Sequence, residues 1–153
     1  MNYEELMQKW DENSQVSLKD FFQITKAISN AYPMIVFANL STNTYTMIRD
    51  EEFLYNDIAT SGCYDDLIDD SMENVHPNYQ RLFYESFSRE HLIRSFQRGK
   101  SEVYAEVYQK DKMGQYHWVS VHVIQIESES GDVMHICMSR TMDEAHDKRE
   151  GEK

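Results

Sequence analysis

The sequence predicts an α+β fold built on a five-stranded antiparallel sheet, and three observations predict it. Two β-branched and aromatic runs, Met34–Leu40 and Tyr45–Arg49, flank the turn-forming Ser41-Thr42-Asn43-Thr44. Residues 51 to 98 hold no strand-like run and divide into short helical segments. From Val103 to Ser139 the chain alternates with a period of two, broken by two turns. Strands and helices that segregate in this way, instead of alternating, mark the α+β class.

The elements follow in order. Residues 1–31 read as a helical extension: Leu6 and Trp10 are four apart, and Leu18, Phe21, Phe22, Thr25, Ile28 and Ser29 trace a three-four spacing that makes one stripe. Ser17 is placed to cap it, with Asp20 in the first turn, and Pro33 stops it because the residue before a proline avoids the helical region. The hairpin at 34–49 comes next. Helices are expected over Tyr64–Glu73, Asn78–Ser88 and Arg89–Arg98, with His76-Pro77 separating the first two and Gly99 as the C-terminal cap of the third. Val103, Ala105 and Val107 then share one parity against Glu102, Tyr104, Glu106 and Tyr108. Asp111-Lys112-Met113-Gly114 turns the chain, and Tyr116–Ile126 forms a long strand with Val119, Val121 and Val123 on one side. Residues 127–132 turn again, and Val133–Ser139 is the last strand. From Met142 onward the chain is charged and reads as the start of a helix.

Composition bounds the function. The 153 residues suit one domain with short extensions, and 17 Phe and Tyr side chains (7 and 10) are enough to fill a core. The formal charge is −12, with acidic groups at Asp50-Glu51-Glu52, Asp65-Asp66 and Asp69-Asp70. A phosphate backbone or an anionic membrane surface is repelled by such a chain, so nucleic acid and direct membrane contact are excluded as partners. Cys63 and Cys137 form no CxxC, and the sequence shows no signal peptide or disulfide framework, which points to a cytoplasmic setting. The longest apolar stretch, Pro33–Leu40, is far below the roughly 20 residues that span a bilayer.

Candidate chemistry is sparse. His117, His122 and His135 lie on expected strands. If the last hairpin turn centres near Glu129, His122 falls opposite Cys137, but no second His or Cys stands two to four residues from any of them, so ordinary strand histidines are the better account. Asp65, Asp66, Asp69, Asp70 and Glu73 lack the glycine turn of a calcium loop and read as a solvated acidic face. Glu106, on an otherwise aromatic strand parity, is the one possible inward carboxylate. No GxSxG, HExxH, GxGxxG or phosphate-binding glycine loop is present, so the chain reads as non-enzymatic.

Three segments resemble the PAS, or sensory-box, family. Val75-His76-Pro77-Asn78-Tyr79-Gln80-Arg81-Leu82-Phe83 is similar to the HP-x-D-R-x-x-F segment that opens the long helix of many PAS domains, with Tyr79 where an acidic residue is usual. Glu106–Val121, EVYQKDKMGQYHWVSV, resembles the strand, D-x-x-G turn and aromatic-Trp-Val strand of that family. Arg140-Thr141-Met142-Asp143 stands where the family has its D-I-T junction, which is replaced here. The segment Ile35–Ile48 looks like PAS domains that precede GGDEF, EAL or histidine-kinase modules.

The resemblance implies a PAS-like sheet with short helices across one face, a helical extension over 1–31, a sensory domain over 32–142 and a connector helix from 143 to 153. It implies a small-molecule cavity between sheet and helices, for which Val103, Val107, Val119, Val121 and Val123 on the strands and Phe83 and Phe87 on the long helix are the candidates. The same parity also describes a filled core. Thr141, Met142 and Asp143 would carry the output to a C-terminal effector of the diguanylate cyclase or histidine kinase type, and the N-terminal helices would form a homodimer. No cofactor is expected: Cys63 sits in SGCYDD, which does not match the flavin-binding NCRFLQ segment, and neither His76 nor His91 is placed as a haem ligand. Two alternatives stay open, a ligand-free dimerisation module and a small α+β enzyme.

Overall fold

The computed structural model describes residues 30–49 and 58–142, together with residue 23 and residues 26–28. The stripe residues Leu18, Phe21 and Phe22, the capping Ser17 and the connector from Asp143 onward lie outside the described residues. Residues 26–28, 30 and 31 are helical. The strands are β1 (Met34–Asn39), β2 (Thr44–Arg49), β3 (Ser61–Cys63), β4 (Glu102–Lys110), β5 (Tyr116–Ile126) and β6 (Met134–Thr141). Three helices, α1 (Tyr64–Met72), α2 (Pro77–Phe87) and α3 (Arg89–Gln97), separate β3 from β4.

The strands form one sheet in the order β3-β2-β1-β6-β5-β4, with every neighbouring pair antiparallel. Among the described residues the expected five strands are therefore corrected to six. Strand β3 is only Ser61-Gly62-Cys63, paired as Thr44↔Cys63, Tyr45↔Gly62 and Thr46↔Ser61. Three residues without an apolar alternation leave no periodic signal; the backbone pairing alone makes them a strand. The opposite edge is covered in the same economical way. The His76 amide donates to the Tyr108 carbonyl at 2.7 Å and the Lys110 amide to the Asn74 carbonyl at 2.9 Å, so residues 74–76 close the free side of β4.

The helix boundaries follow local chemistry. Asn43, in the hairpin turn, has φ 57°, a left-handed conformation that asparagine tolerates. From there its Oδ1 accepts the Asp65 amide at 3.0 Å and its carbonyl accepts the Tyr64 amide at 3.1 Å, capping α1 from another part of the chain. His76 caps α2, its Nδ1 accepting the Asn78 amide at 3.1 Å, with Pro77 in the first helical turn. Ser88 caps α3, and at its end the Gly99 and Lys100 amides donate to the Phe96 and Ser95 carbonyls, with Gly99 at φ 93°.

The core lies between the helices and the inner face of the sheet. Leu67, Ile68, Phe83, Phe87, Leu92 and Phe96 from the helices meet Val36, Ala38, Met47, Val107, Val119 and Val123 from the strands. The β5–β6 hairpin centres on Ser130, because Ile126 pairs with Met134. Val123 therefore faces Cys137, and His122 faces Met138 and not Cys137, the partner expected from a turn near Glu129. A shift of one residue moves a side chain to the other side of the sheet, so His122 and Cys137 share no face.

Candidate functional site

Among the sequence-derived candidates, Phe83 and Phe87 stand on the inner side of α2 with ring centres 5.5 Å apart, and both are buried. The register pairs Val103 with Val123, Val107 with Val119, and Ala105 with Val121, so all five valines share the face that meets the helices. Only Phe83, Phe87, Val121 and Val123 border the interior cavity, which has a volume of about 40 Å³. Val107 and Val119 are buried in solid packing, and Val103 is partly buried against the same core.

The cavity's other wall was not anticipated from the sequence. Strand β6 turns His135, Cys137 and Ser139 inward, and Tyr64, Ser71 and Gln109 add polar groups from α1 and β4. His135 and Ser139 are 0% exposed. The alternation His135-x-Cys137-x-Ser139 is visible in the sequence, and so is its period of two. Its burial is not, because that depends on the final strand inserting between β1 and β5.

Hydrogen accounting fixes the state of this cluster. The Tyr64 hydroxyl donates its one proton to the Phe87 carbonyl at 2.8 Å. His135 Nε2 lies 3.3 Å from the same hydroxyl oxygen, so that oxygen accepts the Nε2 proton. The ring is then neutral, and Nδ1 has no hydrogen-bond partner among the described residues. Burial pushes the His135 pKa down to about 4, an effect that the Ile136 backbone opposes without satisfying Nδ1. Burial also pushes the Cys137 thiol up to about 12, so the group stays protonated, with Ser139 Oγ at 4.0 Å. The Tyr64 hydroxyl is raised above its ordinary value, first by burial and then by Cys137 and Asp65. None of the side chains around the cavity carries a charge at neutral pH.

The remaining candidates have local partners. His117 Nε2 lies 2.8 Å from Asp111 Oδ2, in a turn where Asp111 Oδ1 also accepts the Met113 and Gln115 amides. His122 meets Glu102 at 3.0 Å, and His91 Nδ1 meets Ser88 at 2.6 Å. Glu106 accepts the Tyr104 hydroxyl at 3.0 Å. Asp65 is held by Asn43 and by Arg89 at 3.2 Å. Among the described residues, no group of three or more His, Cys, Asp or Glu side chains is placed to hold a metal ion. At the exit of the sheet, Thr141 ends β6, and the Met142 amide donates to the Trp118 carbonyl at 2.8 Å. Asp143 lies outside the described residues.

This architecture defines the class. The chain has the fold of PAS, or sensory-box, domains. It superposes with a TM-score of 0.54 on the N-terminal domain of a diguanylate cyclase with PAS/PAC sensor from Marinobacter aquaeolei, at 15% identity, covering 74% of this chain and 97% of that one. A sensory box histidine kinase/response regulator from Burkholderia thailandensis gives 0.53 at 8% identity, with 83% and 90% covered. No family model matches the sequence, and no curated protein is significantly similar to it.

Proposed function

We propose that the chain is a sensor domain in which the cavity beside β6 receives a small molecule and β6 passes the event to Thr141, Met142 and Asp143, and from there to an effector that follows. The observation that carries this reading is that one strand both borders the cavity and leads out of the sheet. The same residues 134–141 that wall the cavity with His135, Cys137 and Ser139 also lead the chain out of the sheet. The solved structures it resembles are named as parts of a diguanylate cyclase and a histidine kinase, which supports an attached effector of that kind. A ligand that prefers one setting of β6 shifts the population of settings, and only by its difference in affinity between them. The proposed setting is cytoplasmic, in keeping with two free thiols; no described helix is long and apolar enough to cross a membrane. The test is a reporter cyclase or kinase fused after Lys153, with residues inserted one at a time after Met142. Output that rises and falls with the helical period is expected; output indifferent to insertion discards the reading.

A second reading has its own observation. The outer face of the sheet carries an apolar groove of Ile28, Ile35, Phe37, Ile124, Ile136 and Met138, and Phe37 and Ile48 are 40% and 38% exposed. Such a patch favours association, in line with a homodimer through this face and the N-terminal helices. Phe37→Glu is expected to raise the dimer dissociation constant in light scattering; a monomer mass for the wild-type chain up to high micromolar concentration rejects the dimer.

A further inference from the structure

Strand β6 has two faces, and the sensor reading uses only one of them. We infer that its outer row is a second input: the end of the helix that precedes β1 rests on that row, and Arg140 over Tyr32 ties the helix to the exit of the sheet. The inference rests on β6 carrying the output.

Four observations converge. His135, Cys137 and Ser139 are buried on the inner side of β6, so alternation puts Met134, Ile136, Met138 and Arg140 on the outer side. There the Arg140 guanidinium lies 5.2 Å from the centre of the Tyr32 ring, within cation–π range. The helix end meets the same row at a second point. Ile28 shares a groove with Ile136 and Met138, and its carbonyl accepts the Tyr32 amide at 2.9 Å. Ile35, opposite Met138 on the outer side of β1, is 4% exposed, whereas Phe37, opposite Ile136, is 40% exposed. The covered end of this face is thus the end toward Arg140. No slack separates helix from sheet: only Tyr32 and Pro33 stand between residue 31 and β1, proline fixes its own φ, and Met34 pairs with Ser139 beside Arg140. The exit is equally near, since the Met142 amide donates to the Trp118 carbonyl two residues beyond Arg140. An exposed cation–π contact biases an equilibrium by about two- to fivefold, so this one tunes the setting of the exit and does not lock it. The coupling is reciprocal: what moves β6 also moves the helix end.

The experiment is amide hydrogen exchange of the full chain, read at Met142. Tyr32→Leu keeps apolar bulk and removes the π face; Arg140→Gln keeps part of the stem and removes the charge. Each is expected to speed exchange at Met142 by about two- to fivefold. The double variant should be no faster than the quicker single one, because both remove the same contact. Tyr32→Phe keeps the ring and Arg140→Lys keeps the cation, and both should exchange like wild type. Exchange at Met142 unchanged by Tyr32→Leu overturns the inference, and so do single effects that multiply in the double variant. If Tyr32→Leu fails to fold, Arg140→Gln against Arg140→Lys decides: faster exchange in the first supports the inference, and equal exchange overturns it. A reporter fused after Lys153 separates this from the sensor reading. Met142 exchange that responds to Tyr32→Leu while reporter output stays constant sinks the sensor reading and leaves the contact's hold on the exit intact. Output that follows the helical period of inserted residues while Met142 ignores Tyr32→Leu does the reverse.

Discussion

Strands β5 and β6 are paired along eight positions and both bury their inner rows, yet they bury opposite chemistry. Val119, Val121 and Val123 fill space against the helices, and nothing in that row needs a hydrogen bond. His135, Cys137 and Ser139 face the same helices, and there Nδ1 of His135 has no partner among the described residues. An aliphatic row in β6 would avoid that desolvation cost, so the polar row does not arise from the demands of packing. The difference teaches that in one continuous core an apolar row and a polar row can lie on adjacent strands.

The comparison can be broken most forcefully at Phe87, which borders both rows and whose carbonyl accepts the Tyr64 hydroxyl. Phe87→Ala is expected to cost about 3–5 kcal/mol in urea denaturation, by transfer and cavity terms together. A loss below about 1 kcal/mol would mean that the two rows are not held by this ring.

Acid sharpens the comparison, because only the β6 row titrates. The folded pKa of His135, about 4, lies below the ordinary histidine value of 6.5. Between those values the unfolded chain binds a proton that the folded one refuses, so stability rises with pH across that window. Its contribution is complete above the ordinary value and is lost progressively as pH falls toward 4, with a total of order 3 kcal/mol. Urea midpoints measured from pH 7 to 4 should fall in wild type, and the part of that slope due to this residue should vanish in His135→Phe. An identical slope in both proteins assigns the acid sensitivity elsewhere.

The smallest effects separate the rows themselves. Val123→Ala is expected to cost about 1.5–2.5 kcal/mol, for two buried methyl carbons and the space they leave. Ser139→Ala removes a hydroxyl whose nearest polar contact is the Cys137 sulfur at 4.0 Å, and should cost less than about 1 kcal/mol. Equal losses at the two sites would erase the energetic distinction between the apolar row and the polar row.

Much of this architecture was legible before the structure. The three central helices begin and end within a residue or two of where Pro77, Ser88 and Gly99 place them, because caps and breakers act through local backbone geometry. The limits of β5 follow directly from its alternation. Parity and helical spacing put Phe83, Phe87, Val103, Val107, Val119, Val121 and Val123 on inward faces, of which Phe83, Phe87, Val121 and Val123 border the cavity and the other three pack in or against the core. Strand β3 was invisible because Ser-Gly-Cys carries no pattern, and the pairing of His122 was misplaced because a hairpin's centre can slip by one residue without altering its composition.

By itself the sequence determined the quantities that neighbours along the chain decide: element types, caps, turns, the two faces of each strand and the acidic balance. Which face is buried, and among what, was decided only by the tertiary structure. His135, Cys137 and Ser139 share a parity in any strand. They become one wall of the cavity because β6, the last described strand, occupies the middle of the sheet and lies beneath helices that precede it by more than 35 residues. Period-two alternation shows that residues share a side, but burial depends on what packs against that side, and that is settled by contacts far apart in sequence.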